Sequence, residues 1–198
     1  MPEVVIKYVE GRYTGEVNPS TNEPEGEGIL EYPGNDQQTR QSYEGGFLKK
    51  MAHGKGSMRW REGDKFDGEW EKGLRHGTGS YTHKATGARY EGQYQNDVKH
   101  GKGKYVYPNG DIFTGDWVNG KRHGKGKYTR KEDGGVYEGE WVEGIKKGSG
   151  QYTFGSGDVF EGTYDNNERH GEGKLIKVDG EKRSEIWKTG KLISFTVL

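Results

Sequence analysis

The chain has 198 residues, no cysteine, and 31 Lys+Arg against 31 Asp+Glu. These values exclude disulfides and thiolate metal sites and argue against nucleic acid as a partner. No apolar run approaches the ~20 residues of a helical membrane span, and Met1-Pro-Glu-Val-Val-Ile-Lys7 is too short and too charged for a signal peptide. A soluble intracellular protein is therefore expected. The 28% hydrophobic content is low enough to suggest disorder. The aromatic residues, however, recur at a fixed spacing, which argues for order.

Residues 1–10, with the apolar cluster Val4 to Ile6, read as an N-terminal capping strand. Residues 11–182 read as a repeat array with units starting near 13, 43, 66, 90, 113, 137 and 160. The first aromatics of the clear copies are Tyr43, Phe66, Tyr90, Phe113, Tyr137 and Phe160, with gaps alternating between 23 and 24 residues. A fixed period of this kind is the mark of a repeat architecture. The first unit, at Tyr13, is degenerate and carries an insertion from Pro19 to Glu25. Residues 183–198 read as a half repeat with Trp187 and Gly190, followed by an apolar C-terminal cap, Leu192 to Leu198.

Within a unit, residues two apart share a strand face. Tyr137, Gly139 and Trp141 fall on one face and Glu138 and Glu140 on the other. Asn119-Gly120 and Glu143-Gly144 are hairpin turn signals. In the second strand, Gly124, Gly126 and Tyr128 are expected on the ring-bearing face and His123, Lys125 and Lys127 opposite. A glycine every few residues costs a helix ~1 kcal/mol each, so each unit is read as a β-hairpin. Glycines leave room for rings to lie over the backbone. Acids of first strands (Asp116, Glu138) should face bases of second strands (Lys102, Lys127) across the polar face. The fold class expected is all-β: an elongated, twisted, single-layer antiparallel array of about seven hairpins with capping strands at both ends.

No residue set points to catalysis, and none to a cofactor. Five equivalent histidines (His53, His76, His100, His123, His170) would sit roughly 10 Å apart on alternate strands, too far to share a metal. They are expected to bond neighbouring turn backbone. Gly115-x-x-x-x-Gly120-Lys121-Arg122 approaches a phosphate loop but lacks its Ser/Thr and its following helix. Gly-Lys-Gly-Lys at 101–104 and 124–127 lies among acids, so nucleic acid is not expected. The aromatic face remains. Phe66, Trp70, Tyr90, Tyr94, Phe113, Trp117, Tyr137, Trp141, Phe160 and Tyr164 are expected to line a partner-binding groove. A partner strand or helix would lie along it, anchored by the tryptophans.

The pattern Tyr-x-Gly-x-Trp-x-x-Gly-x-x-His-Gly-x-Gly resembles the MORN repeat family (membrane occupation and recognition nexus) over roughly residues 11 to 190. Lys147 and Glu25 depart from the histidine, and Asn96-Asp97 and Asn166-Asn167 from the turn glycine. The resemblance implies a non-enzymatic scaffold without cofactor. In architecture, a short chain made almost wholly of repeats resembles the radial spoke head proteins of motile cilia. That implies other structural proteins of a ciliary axoneme as partners, with self-association as a further mode. The family's name implies the alternative, a lipid-associated adaptor at a membrane surface. Membrane binding needs clustered bases, and here they alternate with acids, so membrane lipid is not expected.

Overall fold

The computed structural model describes residues 4–8 and 11–198. The described residues are all-β, with no helix, and form seventeen strands. They divide into two compact units, Met1–Lys99 and His100–Leu198. The division falls inside β9, where the repeat period shows no break.

The first unit holds β1 (Val4–Tyr8), β2 (Gly11–Val17), β3 (Pro24–Glu31), β4 (Arg40–Leu48), β5 (Met51–Trp60), β6 (Lys65–Glu71), β7 (Leu74–Thr82) and β8 (Arg89–Gln95). Each of these strands pairs antiparallel with the next. β1, in the segment expected to cap the array, pairs with β2. The rest of the 1–10 segment lies outside the described residues.

β9 (Val98–Val106) runs into the second unit. There it is followed by β10 (Ile112–Val118), β11 (Lys121–Thr129), β12 (Val136–Val142), β13 (Ile145–Thr153), β14 (Val159–Asp165), β15 (Glu168–Ile176), β16 (Lys182–Lys188) and β17 (Lys191–Val197). Again every strand pairs antiparallel with its successor. The half repeat read at the C-terminus is thus a whole hairpin, β16–β17. Its first aromatic is replaced by Arg183 and its glycine by Glu185, which hid it from the period.

The tight turns explain the departures from glycine. Both central residues have positive φ: Asn119 and Gly120 at 49° and 78°, Asn166 and Asn167 at 50° and 70°. This is the hairpin turn whose twist matches the strands. Asn and Asp tolerate the left-handed region better than other residues with side chains, so Asn166-Asn167 can stand where Asn-Gly stands elsewhere. The links between repeats alternate instead. One kind ends in an aspartate held by the next loop: the Lys84 amide donates to Asp64 and the Lys131 amide to Asp111, each at 2.9 Å. The other kind, at 83–88, closes on itself through the His83 amide to the Ala88 carbonyl at 2.8 Å. The alternation between 23 and 24 residues is this alternation of loops.

One feature of the second strands differs from simple two-residue alternation. In β10–β11 the register runs Gly115↔Gly126, then jumps to Asp116↔His123 and Trp117↔Arg122. The chain bulges at Gly124, where φ is +60°. A Cβ there would lie 2.9 Å from the Asp116 carboxylate. That carboxylate accepts the amide of Lys125 at 3.3 Å, as Glu140 accepts that of Ser149 at 3.0 Å. Gly124 therefore does not continue the ring-bearing face with Gly126 and Tyr128. The bulge skips two residues of β11, so the parity is kept, and Arg122 instead of Gly124 comes to lie opposite Trp117.

On the polar face the expected cross-strand pairs include Lys102–Asp116 at 2.5 Å and Lys127–Glu138 at 2.8 Å. Both are largely exposed, so each contributes ~1 kcal/mol or less. The histidines, expected to bond turn backbone, divide. His170 Nδ1 accepts the Thr189 turn amide at 3.3 Å. The buried Nδ1 atoms of His76 and His123 make no hydrogen bond.

Candidate partner-binding face

The two aromatics of each repeat and the two glycines between strands form one packing device. Phe113 lies over Gly115 and Gly126; a Cβ on Gly126 would come within 2.4 Å of Phe113 Cε2 and 3.2 Å of Trp141 Cδ1. The second aromatic fills the gap to the next ring. In the first unit the contacts run Tyr13–Phe47–Tyr43–Trp70–Phe66–Tyr94–Tyr90, with ring centroids 5.0 to 5.2 Å apart and every pair edge-to-face. In the second they run Trp117–Phe113–Trp141–Tyr137–Tyr164–Phe160–Trp187, at 4.9 to 6.0 Å. Edge-to-face pairs place a positive ring edge on a negative ring face and are worth roughly 0.5–1.5 kcal/mol each beyond area burial. The indole N–H groups are used as well: Trp70, Trp117 and Trp141 donate to the carbonyls of Gly56, Gly103 and Gly126, each at 3.2 Å.

In each unit the structure brings the residues expected in the groove onto the ring-bearing face, and it buries them. Phe66, Tyr90, Phe113 and Tyr137 are 0% exposed, Phe160 1%, Trp141 2%, Tyr94 4%, Trp117 5%, and Trp70 and Tyr164 6%. A single layer can bury its rings in this way because each ring is covered by its neighbours in sequence, not by a second sheet. The tryptophans are thus part of the core of their units, and an open slot between them does not exist in the free chain.

What a partner would meet lies above the rings. The bulges place one residue before each histidine position on this face: Ala52, Arg75, Lys99, Arg122, Lys146 and Arg169. Five of the six are cations. The Arg122 guanidinium carbon sits 4.2 Å from the Trp141 ring centre, Lys146 Nζ 4.5 Å from that of Tyr137, and Arg169 4.3 Å from that of Phe160. Their stems cover the rings and their charges lie in the field of the ring faces. Arg75 is paired with Asp97 at 2.9 Å. Among the described residues, Arg122, Lys146 and Arg169 have no carboxylate partner. Burial, and then the positive charges of Arg122, Arg130 and Arg169, push the Lys146 amine down to about 8. Sequence reading missed this row. The signal was present: a basic residue stands directly before the histidine position in five successive repeats, on the same two-residue parity as Gly126 and Tyr128.

Beside the cations stand the half-buried second-strand aromatics Tyr81, Tyr128 and Tyr152. Tyr128 donates its hydroxyl to the buried Asp111 at 2.5 Å, and Tyr81 does the same to Asp64. Asp111 is held below its ordinary value chiefly by the Tyr128 hydroxyl and the Lys131 amide. A carboxylate with a depressed folded value stabilises above the unfolded pKa of ~3.9, and that contribution is lost as pH falls through the folded value. Tyr128→Phe is expected to cost about 1 kcal/mol at pH 7, with a smaller difference from wild type at a pH well below the ordinary aspartate value of ~3.9, where the carboxylate protonates. Urea unfolding at both pH values measures it; an equal loss at both would show that ring packing, not the hydroxyl, is responsible.

Where the row is broken, at Ala52, a cavity of about 430 Å³ opens over Tyr43, Phe47 and Trp70, with Met58, Trp60 and Arg40 around it. Arg40 there is held by Asp36 at 2.7 Å.

An array of β-hairpins with a self-stacked aromatic face and paired glycines defines the class of this molecule as a hairpin-repeat protein. The model of the MORN repeat matches residues 43–65, 66–84, 90–112, 113–133, 137–159 and 160–182, and the chain belongs to that family. No curated protein matches it in sequence. Among solved structures it is similar to the SAS-4 (dCPAP) TCP domain of Drosophila melanogaster in complex with a proline rich motif of Ana2 (dSTIL). The identity is 11%, the TM-score 0.50, and the match covers 93% of this chain and 90% of that one. The TCP10c domain of Drosophila melanogaster Sas-4 gives 11% identity, a TM-score of 0.42, and coverage of 92% and 97%. The TCP10 domain of Danio rerio CPAP with a STIL peptide gives 12%, 0.39, and 98% and 99%. At 11% identity the first of these likenesses is one of fold alone.

Proposed function

We propose that this chain is a non-enzymatic scaffold that binds partner proteins over its ring-bearing face, in a ciliary axoneme and there in the radial spoke head. The observation that carries the binding reading is the half-buried row of cations and tyrosines above a core that needs nothing further to close. The ten rings expected to line the groove form its floor, and contact is made through the residues that cover them. A fold neighbour in complex with a proline rich motif supports a peptide segment as the kind of partner. The ciliary assignment rests on the resemblance in architecture to spoke head proteins.

Two measurements test the reading separately. A tagged copy expressed in ciliated cells is expected along the axoneme; a signal confined to the cell body would remove the ciliary assignment and leave the scaffold. Cross-links from co-purified partners are expected on the ring-bearing face, at Lys99 and Lys146. Cross-links confined to Lys102, Lys104, Lys125 and Lys127 would move binding to the polar face.

A further inference from the structure

In the second unit, Arg122 on β11, Lys146 on β13 and Arg169 on β15 occupy equivalent places on alternate strands. Neighbouring strands lie ~4.8 Å apart, so the three charges repeat at roughly 9.6 Å across the strands. Among the described residues, the carboxylates nearest this face bond other groups: Asp111 accepts the Tyr128 hydroxyl at 2.5 Å, the equivalent Asp158 the Val178 amide at 2.9 Å, and Glu185 the Trp187 indole at 2.9 Å. Arg122 donates to the Gly144 carbonyl at 2.7 Å, which orients its guanidinium without neutralising it. The face therefore presents a ladder of positive charge at a fixed interval, over aromatic rings and, among the described residues, with no carboxylate paired to any of the three.

The interval selects the conformation of what could match it. A polyproline II segment rises ~3.1 Å per residue with three residues per turn, so every third side chain returns to one side after ~9.3 Å. Over two intervals the mismatch with the ladder is only ~0.6 Å. A β-strand covers a similar distance in three residues but points residues i and i+3 to opposite sides. An α-helix returns to one side after seven residues, ~10.5 Å, and drifts by about 1.8 Å over the same two intervals. Tyr128, Tyr152 and Phe154 stand half-buried beside the cations. They offer ring surface of the kind on which proline residues dock.

We infer that the ring-bearing face of the second unit takes an acidic polyproline II segment of a partner protein, with a carboxylate at every third residue seated on Arg122, Lys146 and Arg169. This rests on the reading that a protein partner lies on this face, and it adds the partner's conformation, charge and spacing.

The probe is a labelled peptide of repeated Glu-Pro-Pro triplets, titrated against the whole chain by fluorescence anisotropy. It is expected to bind, and to bind more weakly as salt rises. The combined variant Arg122→Gln, Lys146→Gln, Arg169→Gln keeps part of each stem over the rings, and circular dichroism checks its fold. It is expected to weaken binding by about tenfold or more, whereas the polar-face control Lys125→Gln is expected to leave it unchanged. Peptides of repeated Gln-Pro-Pro, Lys-Pro-Pro or Glu-Pro, and a helix with glutamates at heptad spacing, are expected to bind at least tenfold more weakly. Equal binding by any of these overturns the inference, as does a triplet peptide that does not bind or is indifferent to the Gln variants. If the triplet peptide fails while partner cross-links still map to Lys146, the acidic segment falls and the scaffold stands. If the cross-links map elsewhere as well, both fall.

Discussion

Gly126→Val is expected to destabilise the second unit by ~3 kcal/mol or more, at the upper end of the overpacking range, and Lys125→Val by ~0.5 kcal/mol or less. The two positions are adjacent, but their side chains leave opposite faces of β11. At Gly126 even the first carbon of a side chain would sit 2.4 Å from Phe113 Cε2 and 3.2 Å from Trp141 Cδ1. Neither ring can retreat. Phe113 is 0% exposed and is held edge-on by Trp117 and Trp141 at 5.3 Å on both sides. Relief would require the stack to open, or β11 to part from β10. At Lys125 the side chain is exposed, and the change removes only a solvated charge. Urea melts of the two variants decide the matter. Equal losses would mean that the ring-bearing face has been assigned to the wrong residues.

Trp141→Ala is expected to cost ~3–5 kcal/mol, the range for truncating a large buried aromatic. Trp141 touches Phe113 and Tyr137 edge-to-face, lies under Arg122, and closes the Gly126 carbonyl through its indole N–H. Truncation removes all four and leaves a void between two repeats. Trp187→Ala should cost distinctly less, because Trp187 is only partly buried and, among the described residues, meets one ring, Phe160. A near-native melting temperature for Trp141→Ala would show that the ring is an external anchor and not part of the core. The combined change at Trp117 and Trp141 is therefore expected to unfold the second unit before it reports on any partner. Tests of binding belong at the cations that cover the rings.

Much of the fold was legible because it is local. The spacing of Tyr43, Phe66, Tyr90, Phe113, Tyr137 and Phe160 marks the hairpins, since one aromatic and one glycine must recur wherever a ring is to lie on a backbone. Asn119-Gly120 and Glu143-Gly144 mark the turns, since both central residues need positive φ. The pairing of Lys127 with Glu138 follows from antiparallel register alone. The site was legible only as a list of rings on one face.

Three things were settled by tertiary structure. Burial of the ten rings depends on how each one meets the ring of the adjoining repeat, a contact between residues such as Phe113 and Trp141 that no single hairpin contains. The cation row depends on the bulge at Gly124, because skipping two residues of β11 there sets Arg122, and not Gly124, opposite Trp117. The last hairpin depends on strand pairing that persists although Arg183 and Glu185 have replaced the ring and the glycine. The sequence by itself determined the repeating unit, its turns and its glycine–ring pairs, all set by interactions within about one period of the chain. Which ring each basic residue covers, and that the rings are a core instead of an open groove, was decided only when neighbouring repeats packed together. Exposure and charge placement are properties of the packed surface, and a single hairpin does not yet have one.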